Sequence, residues 1–338
     1  MKLRLAIVGA TGAVGSELIK IIEERHVPYT ELKLLASKRS AGTKLSVNGK
    51  EYTVEEATEE SFRDCDAALF AGGPASKAFG RAAAEMGCIV IDNSSTFRYE
   101  PDVPLIVPEV NADALEGHHN LIANPNCSTI LLVTALWPIH KYSKIKRAIV
   151  STYQACSGAG KEAMDELRDQ SMEVLKGEPV HPEHFPYQIA FNVIPQIDVW
   201  VDGDYTKEEM KLVWETHKIM GDDSIGVTPV CAVRIPVMRS HCEAVYIETE
   251  KPVSVEKCRE LFSAEDYIVL QDDPEHLLYP MPITSTDTDK TYVGRIRKDT
   301  VSENGLNMWI SFDQLRKGAA TNAVQILEEL IKRGSFGA

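Results

Sequence analysis

The sequence lacks the features that membrane spans, disulfide scaffolds and metal sites require. In 338 residues no apolar run approaches the length of a membrane-spanning helix. The seven cysteines are scattered, with no C-x-x-C pair and no histidine at metal-ligand spacing, so we expect free thiols and no metal site. The chain opens directly on a predicted strand and carries no secretory signal, and we therefore expect a reducing, cytoplasmic location.

Basic residues are also scarce relative to acidic ones. There are 36 Lys and Arg against 50 Asp and Glu, which gives a formal net charge of −14. This excess of negative charge argues against nucleic acid or an anionic membrane as a partner, although local basic residues could still hold a small anionic substrate. A chain of this length can form two domains whose cores need no metal or disulfide.

The first part of the chain alternates apolar strands with amphipathic helices. This alternation predicts a Rossmann-type, doubly wound and mostly parallel sheet. The predicted strands are 3–8, 32–36, 67–70 and 88–92, and the predicted helices include 13–24 and 78–87.

After residue 127 the pattern changes to longer strands of alternating character, which predicts an α+β domain with a mixed or antiparallel sheet. A last helix, 314–333, could pack back on the first domain. We predict one domain from 1–127 with 318–338 and a second from 128–317. The segment 176–204 is rich in proline and aromatic residues, and we expect it to be buried against another surface, such as a second subunit. The predicted strands of the second domain are 147–154, two between 227 and 250, 291–298 and 307–312, with a helix at 161–175.

A glycine-rich loop, GATGAVG, separates the first strand from the first helix. In this position backbone N–H groups and the helix dipole can receive a pyrophosphate, so the loop predicts dinucleotide binding. The alternative is a tight packing turn. FAGG at 70–73 supplies small residues where a backbone could approach the same cofactor. The predicted contacts here are Gly9, Thr11, Gly12, Ala13, Val14 and Gly72.

The second strand ends without the acidic residue that usually binds the ribose of NAD. In its place stand Ser37, Lys38, Arg39 and Ser40. Hydroxyls and cations suit a 2′-phosphate, so Ser37, Arg39 and Ser40 favour NADP. The alternative is a solvated basic turn.

A single cysteine, Cys127, follows Asn-Pro-Asn between two apolar stretches. Proline restricts the preceding residue to extended geometry, so a strand should end here and a helix should begin just beyond it. A cysteine near a helix N-terminus is favoured as a thiolate. The alternative is a small buried side chain, the commonest fate of a free cysteine.

These motifs together resemble the aspartate-β-semialdehyde dehydrogenase family, and the likeness runs over essentially the whole chain. The resemblance implies NADPH-dependent reductive dephosphorylation of L-β-aspartyl phosphate to L-aspartate-β-semialdehyde, a reversible step toward lysine, threonine and methionine. It also implies a homodimer or a dimer of dimers. The matching motifs are GATGAVG (9–15), ASKRSAG (36–42), NPNC (124–127), RIPVMRSH (234–241) and DQLRKGAATNAVQI (313–326).

The resemblance assigns a role to individual residues. Cys127 corresponds to the nucleophile that forms a thioacyl-enzyme, His241 to the acid/base and Gln154 to the residue that orients the reacting centre. The implied substrate contacts are Arg234 for the carboxylate, Glu208 for the ammonium, and Lys211, Arg98 and Asn126 for the phosphate. From their own positions, Ser157 and Gly158, before a predicted helix, and Asn322, in the last helix, are candidates for contacts with the nicotinamide.

Two of these assignments also have a local basis in the sequence. Thr206 and Glu209 form a capping box, so a helix should begin there with Glu208 and Lys211 on one face. A solvated surface ion pair is the alternative for those two residues. SGAG at 157–160 precedes a predicted helix, so its amides can face an oxygen atom.

Two other functions remain open from the sequence. N-acetyl-γ-glutamyl-phosphate reductases share the architecture, but their nucleophile motif usually reads closer to HPGC than to NPNC. A catalytically silent homologue that binds NADP is the second alternative. The intact set of Cys127, Gln154, Arg234 and His241 argues against it.

Overall fold

A computed structural model describes residues 2–337. The chain forms two compact units: residues up to Asn126 together with those from Gly318 onward make unit 1, and Cys127–Lys317 makes unit 2. Within 2–337 no helix has both the length and the apolar character to cross a membrane.

Unit 1 contains an entirely parallel six-stranded sheet with the strand order β5-β2-β1-β6-β7-β8. The prediction of a doubly wound parallel sheet is therefore confirmed. Its strands are β1 (Arg4–Val8), β2 (Glu31–Ala36), β5 (Glu55–Glu56), β6 (Ala67–Phe70), β7 (Ile89–Asp92) and β8 (Leu121–Ala123), and a separate hairpin comprises β3 (Lys44–Val47) and β4 (Lys50–Thr53). Its helices are α1 (Ala13–Glu24), α2 (Gly73–Glu85), α3 (Pro108–Asn111) and α9 (Thr321–Lys332).

The strand order places a topological switch point between β1 and β6, because the chain runs outward from β1 on one side and from β6 on the other. In open α/β sheets, ligands bind at the carboxyl ends of the strands at this point. Gly9 follows β1 and Gly72 follows β6, so both glycines lie at the switch point.

The last helix differs from the prediction. Instead of one helix over 314–333, a π-helical turn at Arg316–Ala320 precedes α9. The apolar side chains of α9, including Val324, Leu327 and Leu330, complete the core of unit 1. The carboxy-terminal helix therefore packs on the first domain, as the sequence suggested.

Unit 2 contains a mixed six-stranded sheet with the order β10-β9-β11-β14-β13-β12. Strand β9 pairs parallel with β10 and antiparallel with β11, so the prediction of a mixed sheet is confirmed. The strands are β9 (Ile145–Gln154), β10 (Gly226–Arg234), β11 (His241–Thr249), β12 (Ile268–Leu270), β13 (Thr291–Lys298) and β14 (Gly305–Phe312). The helices are α4 (Cys127–Tyr142), α5 (Lys161–Lys176), α6 (Lys207–Met220), α7 (Val255–Ser263) and α8 (Pro282–Ser285).

The two faces of this mixed sheet have different surroundings. Helices α4, α6 and α7 pack against the strands, and every second side chain of β9 and β11, such as Val150 and Val245, is buried. The intervening side chains, such as Ile149 and Tyr153 of β9, point to the opposite face together with Trp309 of β14, and these three are only half-buried. The segment expected to be buried, 176–204, is largely irregular and leaves Tyr187, Phe191 and Trp200 exposed in the single chain.

Candidate active site

Cys127 is the first residue of α4, directly after the Asn-Pro-Asn segment that follows β8. Asn126 before it and Ser128 after it are buried, whereas Cys127 itself is half-buried. The helix start predicted from the sequence is confirmed. At this position the N-terminal end of the helix dipole favours the thiolate form, and the side chain is not sealed in the core.

Three predicted site residues lie at one edge of the mixed sheet. Gln154 ends β9, and its register partner Arg234 ends the neighbouring parallel strand β10. His241 begins β11, which runs antiparallel to β9, so its first residue lies beside the last residue of β9. Strand pairing thus brings together three residues that are far apart in the sequence.

His241 is fully buried and neutral. The Ala155 backbone N–H donates a hydrogen bond to Nδ1 at 3.1 Å. Because an amide N–H can only donate, Nδ1 accepts, and the neutral ring carries its proton on Nε2. Within 2–337, Nε2 has no hydrogen-bond partner. Burial and the neighbouring Arg234 cation lower the pKa of His241 to about 3, against the opposing effect of Glu208.

Gly158 packs directly against this histidine. A Cβ atom at position 158 would lie 3.0 Å from His241 Cε1 and 3.1 Å from Arg234 Nη1. His241 and Arg234 therefore approach the same point, and a glycine leaves room for both. The adjacent Ser157 is buried, and its hydroxyl accepts a hydrogen bond from Gln314.

Arg234 is buried, and its guanidinium donates to the Ala155 carbonyl at 2.7 Å. Burial lowers the pKa of Arg234, and the negative charge of Glu208 and, to a smaller extent, those of Cys156 and Cys127 as thiolates oppose this shift. A buried guanidinium has the planar geometry to bind a carboxylate through two hydrogen bonds.

The amino-terminal turn of α6 has the predicted capping box. The Thr206 hydroxyl accepts from the Glu209 N–H at 3.3 Å, and the Glu209 carboxylate accepts from the Thr206 N–H at 2.7 Å. Glu208 and Lys211 are 6% and 9% exposed, so they do not form a solvated surface pair. The reading of these two residues as a surface ion pair is therefore wrong.

The ammonium of Lys211 has two carboxylate partners. Its Nζ lies 2.8 Å from Glu208 Oε2 and 2.9 Å from Asp198 Oδ2. Burial alone would lower the pKa of Lys211, but these two carboxylates outweigh burial and raise it. The other oxygen of Glu208 accepts from the Gln154 amide at 3.1 Å. Sequence reasoning missed Asp198, because it lies in an irregular segment without a motif.

In unit 1 the predicted phosphate contact Arg98 is buried, and its guanidinium donates hydrogen bonds to backbone carbonyls. Its Nε donates to the Asn124 carbonyl at 2.9 Å, and its Nη2 donates to the Asn93 carbonyl at 2.8 Å. These bonds fix the segment that leads to the buried Asn126 and to Cys127. A phosphate contact of Arg98 or Asn126 stays a prediction.

Asn322, the predicted nicotinamide contact, is fully buried in unit 1. Its amide nitrogen donates to the Ile106 carbonyl at 2.9 Å and to Asn124 Oδ1 at 2.6 Å. In the described structure this side chain positions Asn124, and that geometry favours a structural role.

The glycine loop after β1 has the geometry of a phosphate cradle. Gly9 has φ +85°, and its N–H donates to the Leu35 carbonyl at 2.8 Å. A Cβ at Gly15 would lie 2.0 Å from the Gly9 oxygen, so the close approach of α1 to β1 requires glycine there. Gly12 caps α1 without any side-chain hydrogen bond, which leaves the first N–H groups of the helix to a ligand.

The other predicted cofactor contacts near this loop are exposed or half-buried. Thr11 is exposed, and Ala13 and Val14 are half-buried. In the turn after β2, Ser37 and Arg39 are exposed and Ser40 is half-buried. Their side chains are accessible to a ligand, as a contact with a dinucleotide requires.

No group of three or more His, Cys, Asp or Glu residues within 2–337 has a geometry that could hold a metal ion. None of the seven cysteines is in a disulfide.

Glu243, two residues after His241, is a buried acid that the sequence analysis did not single out. It is fully buried on β11, and neither carboxylate oxygen has a hydrogen-bond partner in the part of the chain that the structure describes. Burial raises the pKa of this carboxyl well above its ordinary value. The protonated, uncharged form is therefore favoured in the folded protein.

This pKa shift predicts a pH-dependent effect of Glu243→Gln on stability. The unfolded carboxyl ionises above about pH 4.3 while the folded one keeps its proton, so Glu243 reduces stability progressively as pH rises toward its folded pKa. At each pH we compare the melting temperature of Glu243→Gln with that of wild type. We expect this difference, variant minus wild type, to be more positive at pH 8 than at pH 5. Calorimetry at both pH values measures this. Exposed Glu250→Gln serves as the control and should show no such trend; an equal shift at both pH values would contradict the assignment.

Comparison with known proteins connects this geometry to one family. Residues 4–118 match the family described as "Semialdehyde dehydrogenase, NAD binding domain", and residues 136–317 match "Semialdehyde dehydrogenase, dimerisation domain". The chain is 50% identical to the aspartate-semialdehyde dehydrogenase of Aquifex aeolicus over 99% of both chains. It is 49% identical to that of Bacillus subtilis over 98% of both.

Solved structures agree with the sequence comparisons. Aspartate semialdehyde dehydrogenase II of Vibrio cholerae, complexed with ASA, superimposes with a TM-score of 0.95 at 45% identity, covering 98% of this chain and 99% of that one. A more distant structure, the Candida albicans enzyme with NADP, shares the fold with a TM-score of 0.77 at 24% identity over 99% of this chain and 100% of that one. The chain therefore belongs to the aspartate-semialdehyde dehydrogenase family, and it has that family's activity as an oxidoreductase of amino-acid biosynthesis.

Proposed function

We propose that the chain reduces L-β-aspartyl phosphate to L-aspartate-β-semialdehyde with NADPH, reversibly, through an acyl-enzyme on Cys127. The observation that carries this proposal is the half-buried Cys127 at the start of α4, in the same unit as the buried side chains of Gln154, Arg234 and His241, which strand pairing brings together. A thiolate suits the reaction, because it can displace phosphate and then hold the acyl group as a thioester that a hydride can reduce.

Three charged residues of unit 2 match three features of the substrate. Arg234 would bind the α-carboxylate through its planar guanidinium. Glu208 would bind the α-ammonium and Lys211 the phosphate. Glu208 and Lys211 already form a buried ion pair at 2.8 Å, so both charges are held in place before substrate arrives.

The covalent steps follow from the chemistry of the sulfur. The Cys127 sulfur attacks the acyl carbon, the bond between that carbon and the phosphate oxygen breaks, and phosphate leaves with the bonding electrons. After reduction, the tetrahedral adduct collapses, the carbon–sulfur bond breaks, and the semialdehyde is released with Cys127 restored.

His241 would act at this centre through Nε2. The Ala155 amide occupies Nδ1, so the resting ring presents an N–H group that can stabilise a thiolate or a developing substrate oxygen. The acid/base role that the family resemblance implies for His241 would need a free lone pair on Nε2, so the Ala155 N–H would first have to leave Nδ1 and the ring proton would have to move to that atom. Gln154 would orient the adjacent groups, since its amide already donates to Glu208 at 3.1 Å.

We propose NADP as the cofactor, held by the loop at Gly9, Gly12 and Val14 and by the turn at Ser37, Arg39 and Ser40. The fit is supported by the uncapped start of α1 and by the exposed cation at Arg39. NADPH bound there would supply the hydride that reduces the thioester.

Arg39→Ala tests the choice between NADP and NAD. Removing an exposed cation next to a 2′-phosphate should raise the KM for NADP by about tenfold, because a charge-assisted hydrogen bond is lost. The KM for NAD, which has no 2′-phosphate, should stay the same. Initial rates with both cofactors measure the difference, and Arg168→Lys on α5 is a surface control. Equal effects on NADP and NAD would exclude Arg39 as the phosphate contact.

We propose a homodimer, or a dimer of dimers, formed through the open face of the mixed sheet. Ile149, Tyr153 and Trp309 are half-buried on this face, and Tyr187 and Trp200 are exposed in the single chain. A second copy would cover these side chains. We further propose a cytoplasmic location, which the absence of disulfides among the seven cysteines supports.

A substrate comparison tests the proposed reaction. The purified protein should reduce NADP when given L-aspartate-β-semialdehyde and phosphate, and it should turn over N-acetyl-glutamate semialdehyde poorly, because the acetylated substrate has no ammonium for Glu208. A preference for the acetylated substrate would favour the reductase alternative. If the substrate protects the protein from a thiol reagent but is not turned over, a catalytically silent homologue is favoured.

A further inference from the structure

The Lys211 ammonium is shared between two carboxylates of different character. Glu208 lies on the same helix and is 7% exposed at its side chain, whereas Asp198 comes from the segment before α6 and is 30% exposed. An ammonium has three N–H donors, so with two donated to carboxylates one remains for a ligand. A phosphate bound by that remaining donor would lie beside the negative charge of Asp198.

Asp198 is held firmly in this position. Its second oxygen, Oδ1, accepts from the Val199 N–H at 2.8 Å. Its backbone adopts φ +70°, a left-handed conformation that aspartate tolerates better than most residues. The Val199 carbonyl accepts from the Lys207 N–H at 2.8 Å, which ties the segment to the first turn of α6. Both carboxylate oxygens are thus engaged, and the charge stays close to Lys211.

We propose that Asp198 is a positioning residue that sets the affinity of Lys211 for phosphate. This inference rests on the proposed function, in which Lys211 binds the phosphate group. Asp198 orients the ammonium by accepting a hydrogen bond from one of its N–H groups, and its negative charge weakens the attraction between Lys211 and a phosphate anion.

Asp198→Asn separates charge from geometry. The amide oxygen of asparagine can still accept from Lys211, but the negative charge is gone. We expect the KM for inorganic phosphate, measured with L-aspartate-β-semialdehyde and NADP, to fall roughly fivefold as the repulsion is removed. The KM for the semialdehyde should stay near the wild-type value, since Asp198 pairs with Lys211 and not with Arg234 or Glu208, and the melting temperature should change little, since Asp198 is partly exposed.

Glu265→Gln is the matched control, because Glu265 accepts from the surface residue Lys141 at 2.8 Å and has no place in the proposed site. It should leave both KM values unchanged. If the wild-type protein is active and Asp198→Asn leaves the phosphate KM unchanged or raises it, this inference is overturned and the proposed function stands. If the wild-type protein shows no phosphate-dependent NADP reduction, both proposals fail together.

Discussion

Cys127→Ser is expected to lower kcat by at least about a thousandfold. A serine hydroxyl at the start of α4 fills nearly the same volume, but it ionises far less readily than a thiol, and it forms an oxygen ester that is a poorer hydride acceptor than a thioester. The effect should appear in kcat with little change in KM, because Arg234, Glu208 and Lys211 still bind the substrate. Steady-state rates in the phosphate-dependent direction give both values.

Cys231→Ser provides a control for general effects of thiol loss. Cys231 is half-buried on β10, as Cys127 is on α4, but it lies outside the proposed site. That variant should keep wild-type activity. Substantial turnover by Cys127→Ser, with the melting temperature unchanged, would reject the acyl-enzyme mechanism.

Arg234→Lys is expected to raise the KM for L-aspartate-β-semialdehyde by roughly a hundredfold. The guanidinium is buried and already donates to the Ala155 carbonyl at 2.7 Å, so its planar shape allows it to hold that carbonyl and a carboxylate together. A lysine side chain is shorter and ends in a compact ammonium, so it cannot bind the Ala155 carbonyl and the carboxylate together. The phosphate KM should change much less, because Lys211 carries that contact.

The ratio of the two KM changes is the informative measurement. Arg168→Lys, an exposed arginine on α5 paired with Asp165 and Asp169, should leave both KM values as they are. If Arg234→Lys raised the phosphate KM and left the semialdehyde KM unchanged, the carboxylate would have to bind elsewhere.

The sequence predicted most reliably those elements that local chemistry determines. Helix α1 has the predicted limits, 13–24, because a glycine loop precedes a regular apolar periodicity. The start of α6 was predicted from the Thr206–Glu209 capping box, and both of its hydrogen bonds are present. Residues of the site that lie on such elements, Cys127 and the Glu208–Lys211 pair among them, could be placed before the structure was known.

Other features depend on contacts that a sequence pattern does not encode. The π-helical turn at 316–320 interrupts what reads as one continuous helix. Asp198 contacts Lys211 only because an irregular segment folds back on α6, and the isolation of Glu243 depends on which side chains surround it. The hairpin of β3 and β4 did carry a signal, since Asn48-Gly49 is a two-residue turn with positive φ at both positions.

The order in which the two units can be completed follows from the position of α9. Unit 2 ends at Lys317, but unit 1 lacks part of its core until Val324, Leu327 and Leu330 have been added. During synthesis on the ribosome, domains generally fold as units, beginning with the amino-terminal one. In this chain unit 2 is therefore synthesised completely before unit 1, because α9 is translated after Lys317. Part of the apolar core of unit 1 stays uncovered until α9 has left the exit tunnel.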